Sequence, residues 1–146
     1  MRLFFSELAP VQFTPLYWVN MGAAAISVLS GALLLDLTNR DVLLSEVRPF
    51  IAGLSLILWA WASWWIPALV LMWLWRYWAH RLRLTYESSF WSLVFPLGMY
   101  GAASFELGRA IDQPWLATVA LPATAVGSAA WLWTFAAMAR SWRRVD

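Results

Sequence analysis

Residues 50–75, FIAGLSLILWAWASWWIPALVLMWLW, contain no charged side chain. A helix needs about 20 mostly apolar residues to cross ~30 Å of bilayer hydrocarbon, so this stretch predicts a membrane-spanning helix. At about 1.5 Å per residue the helix would be ~39 Å long. We therefore expect it to tilt or to bend, and Pro67 is the expected position of the bend.

The rest of the chain has the same character. Of its 146 residues, 62% are apolar and 12% are charged, whereas a soluble domain is about 45–50% apolar and about 25% charged. A chain of this length exposes a large surface, which so few charges would not cover. Because cysteine is missing, disulfides and thiolate sites are excluded. The 13 Trp residues suit helix ends at a membrane–water interface. We predict an integral membrane protein.

Three further segments have the length of a membrane span. The whole chain, residues 1–146, is predicted to be a single transmembrane domain. The first 15 residues lack the apolar core of a cleavable signal and are predicted to be a connector. The four predicted spans are residues 16–35, 50–75, 89–111 and 115–139.

The distribution of Arg predicts an orientation, because basic residues stay on the cytoplasmic side of a membrane. With four spans, both termini and the loop at 76–88 share one side. We expect that side to be the cytoplasm, since it holds most of the basic residues. They are Arg2, Arg76, Arg81, Arg83, Arg140, Arg143 and Arg144, against Arg40, Arg48 and Arg109 on the other side.

Small residues predict which helices lie inside the bundle. Lipid gives little hydrophobic drive for helix association, so Gly, Ala and Ser mark the faces where helices approach closely. The first and third spans are rich in these residues, the second is bulky, and the fourth is mixed. We therefore predict an all-α membrane fold of two inner–outer helical hairpins, with the odd spans inward and the even spans outward.

Each inner span has a face that permits two interpretations. One is plain helix packing, and the other is that the two faces line a conduit. The conduit is favoured by Asn20, since an amide inside a membrane needs a partner or water. At about 100° per residue, the faces consist of Asn20, Ala24, Ser27 and Gly31 on the first span, and of Phe95, Met99, Ala102, Glu106 and Arg109 on the third.

Two local features of the third span carry a functional hypothesis. Pro96 removes a donor and clashes with the carbonyl of Ser92, so we expect a kink. The ring of Phe95 beside that kink could plug a narrow passage or could be an ordinary packing residue. Glu106 and Arg109 are three residues apart and can pair on one helix face. They are either an interfacial salt bridge or the charged mouth of a pathway.

The sequence lacks the residues of most catalytic sites. His80 is the single histidine, so the chain cannot supply two axial ligands to a haem. Metal-ligand clusters, phosphate-binding glycine loops and nucleophile–base sets are also missing from the sequence. We therefore predict no enzyme activity, no cofactor, no metal and no nucleic-acid partner. The Arg-rich loop around His80 can contact anionic lipid headgroups.

Three stretches resemble the tellurite-resistance/dicarboxylate transporter family, which includes the slow-type anion channels of plant guard cells and the fungal malic-acid permease. They are residues 17–27 (YWVNMGAAAIS), residues 64–67 (WWIP) and, above all, residues 90–100 (FWSLVFPLGMY). The resemblance covers essentially the whole chain. It implies a fold of ten helices, arranged as five inner–outer hairpins around a pore with quasi-fivefold symmetry, and assembly as a homotrimer.

The resemblance also implies a gate, because a phenylalanine on the penultimate helix occludes the pore in this family. That role maps onto Phe95, and the kink at Pro96 fits it. Four spans correspond to the last four of the ten helices. The resemblance therefore implies either the C-terminal portion of a larger membrane domain or a chain that assembles with others.

The leading hypothesis is that the chain is the C-terminal part of an anion channel or transporter in the cytoplasmic membrane. Its substrates would be small inorganic anions or dicarboxylates, related to malate or tellurite. One alternative is a membrane anchor or subunit that transports nothing and docks a partner protein. Another is a proton-coupled dicarboxylate carrier. An anchor for haem or quinone is disfavoured by the single histidine.

Overall fold

The described part of the protein in the computed structural model comprises residues 15–38, 42–79 and 86–142, with the side chains of 42–44 and 78–79 excepted. No strand occurs in these ranges, which confirms the predicted all-α class. Residues 1–14 of the predicted N-terminal connector and residues 80–85 of the loop around His80 lie outside them. The helices are α1 (Trp18–Thr38), α2 (Val42–Leu74), α3 (Trp91–Ala110) and α4 (Pro114–Trp142).

Each predicted span coincides with one helix, although the helix ends differ from the predicted bounds. The helix α1 continues to Thr38 and α2 already begins at Val42, so most of the polar connection expected at 36–49 is helical. α2 runs through Pro49 and Pro67 and ends in a π-helical turn, Trp75–Ala79. Short 3-10 turns, Pro15–Tyr17 and Ser88–Phe90, lead into α1 and α3.

Three of the helices are long and apolar enough to cross a membrane. They include the segments Pro15–Thr38, Ser45–Tyr77 and Pro114–Trp142. The helix α3 has 20 residues and carries many small side chains besides Glu106 and Arg109. Its membrane crossing therefore stays a prediction, which its position beside α1 supports.

The four helices form two hairpins whose inner members adjoin. α1 packs against α3, α2 packs along α1, and α4 packs along α3. Within the apolar windows, 39% of the residues of α1 are buried but only 17% of those of α2 and of α4. The predicted arrangement of two inner–outer hairpins is therefore confirmed, with α1 and α3 as the inner helices.

Close backbone approach explains why the inner helices need small residues. A Cβ atom at Gly127 of α4 would lie 3.1 Å from the amide nitrogen of Gly98 on α3. A Cβ atom at Gly22 of α1 would lie 2.9 Å from Cγ of Pro96. Carbon atoms make their best contacts at about 3.5–4.0 Å. Larger side chains at these two glycines would therefore separate the helices.

A polar cluster joins α2 to α3 on the outer side of the inner pair. The Trp59 Nε1–H group donates a hydrogen bond of 2.8 Å to Oγ of Ser104. The hydroxyl groups of Ser63 and Tyr100 lie 2.7 Å apart, and the Trp59 and Tyr100 rings stack with centroids 6.1 Å apart. Because polar groups in lipid need protein partners, these side-chain pairs connect α2 to α3. The backbones of these two helices approach each other at few points.

Candidate pore-facing surface

The helix α1 has one face that no other described helix covers. Val19, Asn20, Ala23, Ile26 and Ser27 lie on it and are all exposed. The Ser27 hydroxyl donates a hydrogen bond of 3.1 Å to the carbonyl of Ala23 and is therefore satisfied within the helix. The side chain of Asn20 has no hydrogen-bond partner among residues 15–38, 42–79 and 86–142.

The predicted lining residues of α1 divide between two sectors of the helix. Asn20 and Ser27 lie on the open face, whereas Ala24 and Gly31 are half-buried. A Cβ atom at Gly31 would collide with Oγ of Ser55 on α2. The structure therefore places Gly31 at the α1–α2 contact, and it does not bring all four residues onto one exposed surface.

The helix α3 has a corresponding open face. Phe95 is 53% exposed, and Gly98, Ala102 and Phe105 follow it along the same side of the helix. Met99 is half-buried and packs on the core at the edge of this face. Gly98 also lines a groove of about 460 Å³ between α3 and α4. The predicted face of α3 is therefore open to the surroundings in the isolated chain.

Both open faces lie on the same side of the inner pair. α1 and α3 run parallel, because the 3-10 turns before them are in contact and Asp36 near the end of α1 pairs with Arg109 near the end of α3. On α3 the open face is opposite Tyr100 and Ser104, which contact α2. With about 100° per residue on each parallel helix, both faces point away from α2 and α4.

Phe95 and its neighbour Pro96 have opposite surroundings. Pro96 is fully buried against Gly22 of α1, whereas Phe95 lies outside the core. The helix α3 continues through the proline, whose missing N–H leaves the carbonyl of Ser92 without its usual intrahelical donor. Phe95 is thus not a core-packing residue of this chain, and its ring belongs to the open face.

A charged cluster lies where α1 and α3 end. Arg109 Nη1 is 3.3 Å from Oε2 of Glu106, which is the pair that the sequence predicts, and its Nη2 is 3.2 Å from Oδ2 of Asp36. The guanidinium of Arg48 donates a hydrogen bond of 2.8 Å to the carbonyl of Ala110. Asp36 and Arg48 lie between the predicted spans 16–35 and 50–75, and the sequence alone does not predict their contacts with α3.

The open faces carry almost no charge away from this cluster. No group of three His, Cys, Asp or Glu side chains that could hold a metal ion occurs in the described ranges. The surface therefore offers apolar groups both small and branched, the Asn20 amide and the rings of Phe95 and Phe105 along its length, and ion-paired groups at one end. Such a surface can contact a solute or another helix.

Comparison with known proteins identifies the family. A family model described as voltage-dependent anion channel matches residues 1–139. An uncharacterised membrane protein of Mycobacterium tuberculosis is 40% identical over 137 residues, which are 94% of this chain and 69% of that protein. An uncharacterised transporter of Methanocaldococcus jannaschii is 30% identical over 95 residues, 65% of this chain and 26% of the transporter. No solved structure matches the chain at a significant level. The chain therefore belongs to the voltage-dependent anion channel family, which the resemblance in its sequence had indicated.

Proposed function

We propose that the chain forms part of the wall of an anion-conducting pathway in the cytoplasmic membrane. In this proposal α1 and α3 face the pathway and α2 and α4 face lipid. The observation that carries it is the pair of open faces on one side of the inner helices, with Phe95 on that side. Membership of the anion channel family supports small anions as the substrates, and the resemblance in the sequence extends the proposal to dicarboxylates such as malate.

Two hairpins do not enclose a pathway, so further helices have to complete the wall. The archaeal transporter is matched over 26% of its length and thus contains much more chain than the match covers. We propose that the missing wall comes from additional chain or from other subunits. The homotrimer that the family resemblance implies would then hold one pathway in each complete protomer.

The proposed lining is made of weakly polar and small groups. Asn20 and Ser27 on α1 and Met99 and Ala102 on α3 would border the pathway, with Ala24 and Gly31 at its α2 edge. Asn20 is suited to contact an anion, because its amide N–H groups are exposed and its side chain bonds to none of the described residues. Selectivity in such a pathway comes from its width and from oriented donors and backbone dipoles.

Phe95 would form the constriction, with Pro96 setting the local course of α3. The cluster of Asp36, Glu106 and Arg109 would lie at one mouth. The orientation proposed from the Arg distribution puts both termini in the cytoplasm and this mouth on the opposite side.

The constriction is tested by truncating the ring. The complete protein or assembly that contains this chain is reconstituted in liposomes, and efflux of chloride, nitrate and malate is measured at a fixed membrane potential. We expect Phe95→Ala to raise the flux of the permeant anion about tenfold, the factor that corresponds to about 1.4 kcal/mol of barrier. The matched control is Phe50→Ala, since Phe50 of α2 is 70% exposed and lies on an outer helix. Equal flux in the parent and in Phe95→Ala would remove Phe95 from the gate.

The same liposomes separate a channel from a proton-coupled carrier. Flux through a channel follows the membrane potential and the anion gradient alone, whereas a carrier also responds to an imposed pH gradient at constant potential. Accumulation of malate against its gradient when only a pH gradient is applied would overturn the channel hypothesis in favour of the carrier.

A second candidate is a membrane anchor that docks a partner protein and transports nothing. The groove of about 460 Å³ between α3 and α4, bordered by Gly98, Gly127 and Ser128, favours it because small residues admit another helix. Purification in mild detergent distinguishes the two functions. An unrelated protein that co-purifies in fixed proportion, together with no anion flux, would support the anchor.

A further inference from the structure

A close contact between the inner helices, which leaves no room for a side chain at position 22, lies directly beside the proposed constriction. A Cβ atom at Gly22 of α1 would lie 2.9 Å from Cγ, 3.2 Å from Cβ and 3.5 Å from Cα of Pro96. Met21 and Ala25 next to it are 0% and 1% exposed, so the surroundings leave no free space. Any side chain at position 22 therefore has to move Pro96.

The position of Pro96 determines the direction in which Phe95 points. Successive residues of a helix are about 100° apart, so burying Pro96 against α1 turns Phe95 onto the adjoining open face. The backbone is weakly held here by its own helix, since Pro96 cannot donate a hydrogen bond to the carbonyl of Ser92. The contact with Gly22 is therefore the constraint that locates this turn of α3 relative to α1.

Two other glycines of the helices do not have the same requirement. A Cβ atom at Gly53 of α2 or at Gly98 of α3 would meet no atom within 4 Å. Gly53 lies on an outer helix, far from Phe95 in the sequence. It offers a matched control for adding a methyl group to a helical glycine where the structure has room.

We infer that Gly22 is a positioning residue for the constriction, acting through Pro96 on the ring of Phe95. This inference rests on the proposed function, because it needs Phe95 to limit the flux. A methyl group at position 22 displaces Pro96, and Phe95 with it, away from α1. The closing position of the ring is then lost although the ring itself is intact.

The test measures anion flux in liposomes for the parent, Gly22→Ala, Gly53→Ala, Phe95→Ala and the double variant Gly22→Ala/Phe95→Ala. We expect Gly22→Ala to raise the flux about threefold, less than the removal of the ring, and Gly53→Ala to leave it unchanged. In the Phe95→Ala background, Gly22→Ala should have no further effect, because residues that act through one contact are not additive.

If Gly22→Ala does not yield monodisperse protein, the contact can be altered from its other side, at Pro96. Pro96→Ala removes the ring carbon nearest to Gly22 and restores a backbone donor. It is expected to alter the flux in the parent and to leave it unchanged in the Phe95→Ala background. Size-exclusion chromatography in detergent verifies that each variant retains the parent's assembly.

The outcomes separate the inference from the proposed function. If Phe95→Ala leaves the flux unchanged, the proposed constriction fails. If Phe95→Ala raises the flux but Gly22→Ala behaves like Gly53→Ala, the constriction stands and the role of Gly22 is overturned. An equal effect of Gly22→Ala with and without the Phe95 ring would also overturn it, because Gly22 would then act on helix packing alone.

Discussion

The two ends of the α1–α3 pair are held together by different forces. At one end Gly22 and Pro96 meet without a polar atom, at a distance that admits no side chain. At the other end Arg109 joins Asp36 and Glu106 through ion pairs, and its side chain is 60% exposed. Shape therefore determines the helix spacing at the first end, whereas the exposed ion pairs at the second end tolerate variation in that spacing.

The largest expected effect comes from overfilling the apolar end. Gly22→Val adds three carbons to a site without free space, and overpacking of this kind costs about 1–3 kcal/mol. We expect a lower unfolding midpoint on chemical or thermal denaturation in detergent. Gly53→Val, where the added Cβ has room, should change the midpoint less. Equal midpoints for the two variants would mean that the contact does not set the stability of the pair.

An intermediate effect is expected from the hydrogen bond that ties α2 to the end of α3. Arg48→Met retains much of the length of the side chain but removes the donor to the Ala110 carbonyl. A net loss of about 1 kcal/mol is expected, since the bond is partly buried. The denaturation midpoint measures it, and Arg140→Met on the exposed end of α4 is the control. A loss equal to that of the control would show that the bond adds nothing.

The smallest expected effect on stability is at the ion pairs. Asp36→Asn should change the unfolding free energy by less than about 1 kcal/mol, because exposed pairs contribute little. It also removes one negative charge from the proposed mouth. Anion flux should therefore rise at low ionic strength, and the rise should disappear in high salt, where exposed charges are screened. A rise that persists in high salt would exclude this electrostatic cause.

The sequence predicts part of the arrangement of the inner helices, but not all of it. The 100° projection placed Phe95 and Ala102 on one face of α3, since that relation depends only on helix geometry. The same projection could not tell which neighbour each residue meets. The projection therefore includes Gly31 among the predicted lining residues, although its side of α1 packs on Ser55.

Contacts between distant parts of the chain are the main features that the sequence does not predict. Asp36 follows an apolar run, and a charge after such a run indicates the end of a span, so the sequence predicts that the first span ends at residue 35. The helix continues to Thr38 and brings Asp36 beside Arg109, 73 residues further along the chain. Likewise, no local signal in the sequence pairs Trp59 with Ser104. Such pairs depend on how the helices are assembled, which periodicity does not record.

The glycine contacts on both flanks of α3 have a mechanical consequence. Around residues 96–98 the helix is confined by Pro96 against Gly22 on one side and by Gly98 against Gly127 on the other. These contacts restrict movement of the backbone towards α1 or α4, whereas the Phe95 ring is 53% exposed and can rotate about its own bonds. If the proposed constriction opens by this rotation, opening displaces no lipid, and stretching or thickening the bilayer would favour neither the closed nor the conducting form.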